Sequence, residues 1–410
     1  MPESMDTPQA SVVIPTYNRS DKLRKTLETM TEQDIDPLRF EVIIADDGSS
    51  DDTADVVKSF AGRLRLKYYF QEDKGFRAGA ARNGGARLAA APLLIFLDSG
   101  TLAGPGLVSG HLAAHAASED RRAVIGYCYG YDAFREDLWV PDSFDMLRPT
   151  EIVRLNRDSV EFADIRELDY ARFGYEPMKW PLPWLFFFTM NCSVPVEDFW
   201  AVGGFDEKFR SWGVEDIELG YRLYHNGSTM VLIRDAWTIE VPAERPVKRL
   251  LYSLMRNGLL FLSKSREPYI ELLADAYLSI RLGSVMDESL ELERWTQEAR
   301  ELDVRAEIKA AAAGLAADTR LAIFGCGPSV PPWLPSAALL DFDADLLARA
   351  TAGGTHTGYH AIGLHTALPA KSSDVVIITS RLSGLWHRFG DQIMREAGRV
   401  GQRVVVTKRP

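Results

Sequence analysis

Four short stretches carry side chains able to do chemistry together. Asp46 and Asp47 open DDGS at 46–49, straight after the apolar run FEVIIA. Adjacent carboxylates at the end of a buried strand need donors. A base-edge N–H or a ribose hydroxyl would serve, as would an Asx-type turn with a helix cap. In KGFRAGAARNG at 74–84, Lys74, Arg77 and Arg82 stand among small residues. That composition suits a helix N-terminus facing a diphosphate, and equally a solvated helix face. Asp98 follows LLIFL, where a strand-end carboxylate could ligate a hard cation or begin an ordinary Asp-Ser-Gly turn. In WGVEDIE at 212–218, Glu215 and Asp216 stand behind an aromatic. Such a pair can take the proton of an acceptor hydroxyl, or simply complement a helix dipole.

Strands and helices must position these groups. The run SVVIP at 11–15 reads as a strand closed by the turn TYNR, with a helix from 21 to about 33 capped by Ser20. Further strands are expected at 40–45, 66–70 and 93–97, with helices from about 51 and over 78–90. This alternation predicts an α/β fold, a mostly parallel sheet flanked by helices, with ligands at the carboxyl ends of the strands. Residues 127–180 read as irregular with short helices, and further helices are expected at 196–202 and from 215 to about 226. Residues 246–316 read as mostly helical, and strands at 321–324, 338–340, 375–378 and 403–406 predict a second, smaller α/β unit. The expected division is 8–265, a helical linker over 266–316, and a Rossmann-like domain over 317–410.

Composition narrows the function. At 410 residues, 46% hydrophobic and 26% charged, the chain is that of a globular protein of two or three domains. A net charge of -11 argues against nucleic acid as a partner. Three widely spaced cysteines without a CxxC fit a reducing, cytoplasmic compartment. The N-terminal stretch lacks the basic and apolar regions of a signal peptide, and no apolar run approaches the ~20 residues a transmembrane segment needs. Nothing in the sequence sets the oligomeric state.

In this order and spacing the stretches resemble the family 2 glycosyltransferases of the GT-A fold. The resemblance rests on PTYNR at 15–19, DDGS at 46–49, the GF…ARN segment at 75–83 and LD at 97–98. It continues through GGFDE at 203–207 and WGVEDIELGYRL at 212–223, which look most like the polymerase-type and galactosyltransferase-like members. It covers about residues 10–262. It implies an inverting transfer from a nucleotide-sugar donor, a UDP-sugar first, to a hydroxyl of a sugar, natural-product or glycan acceptor. Carried over by position, Tyr17 would stack on the base and Asp47 would accept from uracil N3–H, with Asp46 a weaker candidate. Pro15, Arg19, Lys74, Gly75, Arg77, Arg82, Asn83, Asp98 and Ser99 complete the implied donor side. Asp216 matches the general base and Glu215 its acceptor-binding neighbour, with Trp212 and Gly213 beside them. Trp184 is the residue singled out for the acceptor from the aromatic cluster at 180–188, for which core packing is the default.

Two departures concern the metal. The family's Asp-X-Asp is Asp98-Ser99-Gly100 here, and the histidine usual about two dozen residues after the base is absent, whereas Glu240 sits 24 residues after Asp216. Asp98 and Glu240 are therefore the expected ligands for Mn or Mg. The rival is a metal-independent site in which Lys74 and Arg77 neutralise the leaving group. His111 and His115 have metal-ligand spacing on a helix but no third partner nearby, and read as satisfied helix histidines.

The stretches LAIFGCG at 321–327 and LLDFD at 339–343 resemble a class I methyltransferase-type Rossmann unit. Pro328, Pro331, Pro332 and Pro335 fall where its first helix should run, and a proline inside a helix costs about 3 kcal/mol. The expectation is a degenerate unit without S-adenosylmethionine. The alternatives are a glycosyltransferase–methyltransferase fusion binding that cofactor on Gly325, Gly327 and Asp341 or Asp343, and a catalytically silent nucleotide-sugar scaffold.

Overall fold

A computed structural model describes residues 7–134, 146–241 and 246–408. The chain divides into two compact units, Met1–Asn257 and Gly258–Pro410. The first is built on strands β1 (Ala10–Thr16), β2 (Phe40–Asp46), β3 (Leu66–Phe70), β4 (Leu93–Leu97), β5 (Thr101–Ala103), β6 (Arg122–Tyr129), β7 (Asn191–Pro195) and β8 (Thr229–Glu240). They form one sheet in the order β3-β2-β1-β4-β7-β6-β8-β5. Strands β3, β2, β1 and β4 are mutually parallel, β6 and β8 are parallel, and β7 and β5 run antiparallel to their neighbours.

The apolar runs form strands because both faces of the sheet are covered. Val12, Ile14, Val42, Ile44 and Ile95 on one face and Val13, Ile43 and Phe96 on the other are all essentially inaccessible to solvent, each burial stabilising the fold by about 1.5–3 kcal/mol. The small-residue helix is Ala78–Arg87, three residues shorter than expected. Its composition has a steric cause. A Cβ at Gly84 would come within 2.2 Å of the Tyr69 ring, and one at Gly85 within 2.8 Å of Val13. Only bare backbone lets this helix lie so close to the sheet. The helix at Ser20–Met30 is not capped by Ser20, whose backbone N–H donates instead to Asp51 Oδ2 at 2.9 Å.

Within residues 127–180, parts of which lie outside the described residues, the structure shows short helices Pro149–Asn156 and Glu167–Arg172. The first packs Ile152 against Leu102, Phe162 and Ile239; the second begins beside a buried pair, Arg166 with Asp164 at 2.6 Å, and Arg166 also donates to the carbonyls of Gly126 and Phe186.

The second unit carries β9 (Leu321–Phe324), β10 (Ala337–Asp341), β11 (Thr357–His360), β12 (Ser373–Ile378) and β13 (Gly401–Val406). The sheet is wholly parallel in the order β11-β10-β9-β12-β13. No helix forms between β9 and β10, where the prolines stand. Helices Pro268–Leu278, Val285–Glu298 and Arg305–Ala311 are not a free linker. Leu272 and Leu292 share a core with Phe324, and Val304 and Ile308 share another with Ile323. Among the described residues no helix is long and apolar enough to cross a membrane.

Candidate active site

The parallel register sets Thr16 beside Asp46, and Asp46 beside Phe70, so the turns after β1, β2 and β3 stand together at one sheet edge. Asp46 is consumed there. Its Oδ1 accepts the N–H groups of Gly48 and Ser49 at 3.0 and 2.7 Å, and its Oδ2 accepts the Tyr68 hydroxyl at 2.6 Å. Being also fully buried, Asp46 shapes the turn and is not a donor-binding group. Asp47 faces the next loop, accepting Gln71 Nε2 at 2.6 Å and the Arg77 N–H at 2.7 Å. Burial raises its pKa against the opposing effect of those donors. Arg77 also lies 3.5 Å from Asp47. Tyr17 is exposed and donates to Asp73 Oδ2 at 2.9 Å. Arg19, Lys74 and Gly75 are exposed and Pro15 is half-buried, and Lys74 pairs with Glu72 at 3.2 Å.

Arg82 links the turn after β4 to the start of the paired-acid helix. The guanidinium, buried, reaches Asp98 Oδ1 after β4 at 2.8 Å and Glu215 Oε1 at 3.2 Å. Asp98 keeps 41% of its side chain exposed. Glu215 and Asp216 begin the helix Glu215–His225. Glu215 is 5% exposed, and its Oε2 is buried without a hydrogen-bond partner. Asp216 is half-buried, accepting the N–H of Thr189 at 3.3 Å and of Ile217 at 2.9 Å. Burial raises the pKa of both acids, with Asp216 adding to the rise at Glu215 and Arg82 opposing it at each. The approach to this helix is strained. Gly213 and then Val214 adopt φ of 86° and 76°, and a β-branched residue there costs about 1–3 kcal/mol. Trp212 is half-buried, 6.3 Å from Phe134 in an edge contact.

Other expected site residues stand elsewhere. Asn83 is buried and clamps the following motif, exchanging hydrogen bonds with the N–H and carbonyl of Phe205 and donating to Glu207. It positions that loop and, at 2% exposure, presents no open face to a donor. Trp184 is 2% exposed, edge-on to Tyr221 at 5.3 Å, so it belongs to the core and not to an acceptor surface. Ser99 is buried in its turn. Glu240 is in register with Thr101, and the N–H of Val241 donates to the carbonyl of Gly100 at 2.8 Å. Its backbone thus runs beside the Asp98 turn. Among the described residues no three His, Cys, Asp or Glu side chains gather as a metal set. His111 bridges Ser193 and Asn191 at 2.8 Å each, and His115 bonds Ser193 at 2.9 Å. Both are satisfied structural histidines. The sequence reading passed over Gln71, Asp73, Thr189 and Asn257. Only Asn257 left a signal, a polar amide inside the apolar helix 247–264.

The family described as Glycosyl transferase family 2 matches residues 11–175, and the one described as N-terminal domain of galactosyltransferase matches 172–242. The chain is 43% identical over 416 residues to a validoxylamine A glucosyltransferase of Streptomyces hygroscopicus subsp. limoneus, covering 97% of this chain and 90% of that one. A protein of the same name from Streptomyces hygroscopicus subsp. jinggangensis (strain 5008) is 42% identical, with 97% and 96% covered. The uncharacterized glycosyltransferase YfnE of Bacillus subtilis (strain 168) is 32% identical over 262 residues, covering 58% of this chain and 65% of that one. With strand-end carboxylates, a bridging arginine and a paired-acid helix falling inside the matched segments, the chain belongs to glycosyl transferase family 2 and is a glycosyltransferase.

Proposed function

We propose that this enzyme moves a glucosyl group, with inversion, from a nucleotide-diphosphate donor, UDP-glucose first, to a hydroxyl of validoxylamine A or a compound close to it. The single observation carrying the reading is Arg82, whose guanidinium meets both Asp98 and Glu215. That bridge supports the reading because one guanidinium spans the carboxylate assigned to the diphosphate side and an acid assigned to the acceptor side. The validoxylamine A glucosyltransferases, similar along 97% of this chain, supply the donor sugar and acceptor to try.

In the proposed reaction Asp216 takes the proton of the acceptor hydroxyl as that oxygen attacks the anomeric carbon. The bond from that carbon to the diphosphate breaks, and the nucleoside diphosphate leaves with the electron pair. Burial raises the pKa of Asp216, and the Arg82 cation opposes that rise by favouring the ionised carboxylate. The unpartnered Glu215 Oε2 accepts a second acceptor hydroxyl and orients it. Tyr17, at 44% exposure, offers a face to the base. Two carboxylates from adjoining segments, Asp98 and Glu240, are hard oxygen ligands that fit a divalent cation, with diphosphate and water supplying the remainder. Bound there, such an ion would neutralise the charge that develops on the diphosphate.

Incubation of the purified chain with UDP-glucose and validoxylamine A, with and without Mn, tests the reading. A product with a β-glucosidic linkage from the α-linked donor is expected. An α-linked product would refute inversion, and absence of turnover with UDP-, GDP- and dTDP-glucose alike would refute the donor and acceptor assignment.

A further inference from the structure

The loop that precedes the paired acids is held by one buried side chain. Asn257, 1% exposed on the helix Val247–Lys264, donates from Nδ2 to the carbonyls of Ser211 at 2.9 Å, Trp212 at 3.4 Å and Gly213 at 2.6 Å. Its Oδ1 accepts the Ser211 hydroxyl at 3.0 Å. Three successive carbonyls thus converge on one amide, because the chain turns through the left-handed region at Gly213 and Val214 before entering the helix at Glu215. Leu254, one turn earlier on the same helix, leaves only 2.9 Å to a Cβ at Gly213, so the loop is pressed from that side as well.

We propose that Asn257 is a positioning residue for transfer. It holds the strained loop in the one path that sets Asp216 toward the acceptor hydroxyl and Glu215 against Arg82. This rests on the assignment of Asp216 as base. The role suits an amide: its two hydrogens are shared among the three carbonyls, while its oxygen takes a hydroxyl. An aspartate of the same shape would turn a carboxylate oxygen onto those carbonyls. A hydrophobic residue would leave these half-buried carbonyls without that donor.

The experiment compares Asn257→Ala, Asn257→Asp, Ser211→Ala and Asp216→Asn in the full chain, with UDP-glucose and validoxylamine A as probes. Asn257→Ala should lower kcat at least tenfold while KM for UDP-glucose and the affinity for UDP stay within twofold. The acid limb of its kcat profile should move to lower pH, because a loosened loop lets water reach the Asp216 carboxylate. Asn257→Asp should lose more, and Ser211→Ala about two- to fivefold. A kcat within twofold of the parent and an unmoved acid limb for Asn257→Ala would overturn the proposal. So would a loss of UDP affinity that matches the loss of kcat. If Asn257→Ala does not fold, Ser211→Ala decides: reduced kcat at constant KM supports the proposal, and unchanged kcat overturns it. Full activity in Asp216→Asn would instead remove the base assignment itself. An inactive Asp216→Asn beside an unimpaired Asn257→Ala would remove this inference alone.

Discussion

Burial disfavours the charged form of Arg82, and the carboxylates of Asp98 and Glu215 more than offset that, so the guanidinium is held firmly ionised inside the protein. Removing it leaves Glu215 buried beside Asp216 with no counter-charge. Loss of one partner of a buried pair costs about 3–5 kcal/mol. Arg82→Met should therefore lower the unfolding free energy read from urea titration by that much at pH 8, and by less at pH 5, where the acids take up protons. A shift below about 1 kcal/mol at pH 8 would show the bridge to be incidental. Asp216 behaves in the opposite sense. Its pKa is raised by burial, so the folded chain holds its proton more tightly than the unfolded one. The stability from this group is present below the ordinary carboxylate pKa of about 3.9 and lost as pH rises through the raised value. Asp216→Asn should thus be no less stable than the parent at neutral pH, while its kcat falls by about 10²–10⁴. In the parent enzyme the acid limb of kcat should lie above the ordinary aspartate range.

At the level of elements, the helix Leu107–Ala116 carries a second pH dependence. Burial lowers the pKa of His111 to about 4, against the pull of Asn191. The unfolded chain takes up this proton near pH 6.5 and the folded one does not, so stability is full above 6.5 and falls as pH drops toward 4. The loss is up to about 3 kcal/mol for His111, and His111→Gln should flatten that part of a thermal-midpoint profile; an unchanged slope would rule the imidazole out. What the sequence showed of these elements follows from how local each signal is. Strands β1, β2 and β4 were legible because buried runs end in polar turns, and the small-residue helix because glycine records close approach. Strands β5, β6, β7 and β8 were missed: they take their place through long-range pairing, where β8 is only partly buried along Thr229–Glu240. Asn83 and Trp184 were assigned to binding because a motif gives residue types and order, while the direction a side chain faces is set by tertiary packing. The left-handed Val214 was invisible for the same reason, since its own propensity opposes the conformation its neighbours impose.

Across the whole chain, similarity to the validoxylamine A glucosyltransferases extends through the second unit, since 97% of the sequence is covered. Three features by which such a parallel sheet would hold a nucleotide cofactor are taken by the unit's own side chains. Asp341, at the end of β10, is wholly buried, with its Oδ2 accepting Arg381 Nε and the Gly327 N–H at 2.8 Å each. The Arg381 guanidinium lies 4.8 Å from the Phe342 ring centroid, so a cation covers the surface where a base would stack. The N–H groups of residues 362–365, which in an open loop could cradle an anion, converge on the buried carboxylate of Glu271. The turn after β9 also leads into prolines and not into a helix whose N-terminus could face a ligand. Admitting a ligand would require Arg381 to leave Asp341 and expose a buried ion pair, a cost of several kcal/mol. S-adenosylmethionine at millimolar concentration should therefore give no heat above dilution when titrated into the full chain. Saturable heat that disappears in Asp341→Asn would mean that this unit opens, and would restore the methyltransferase reading.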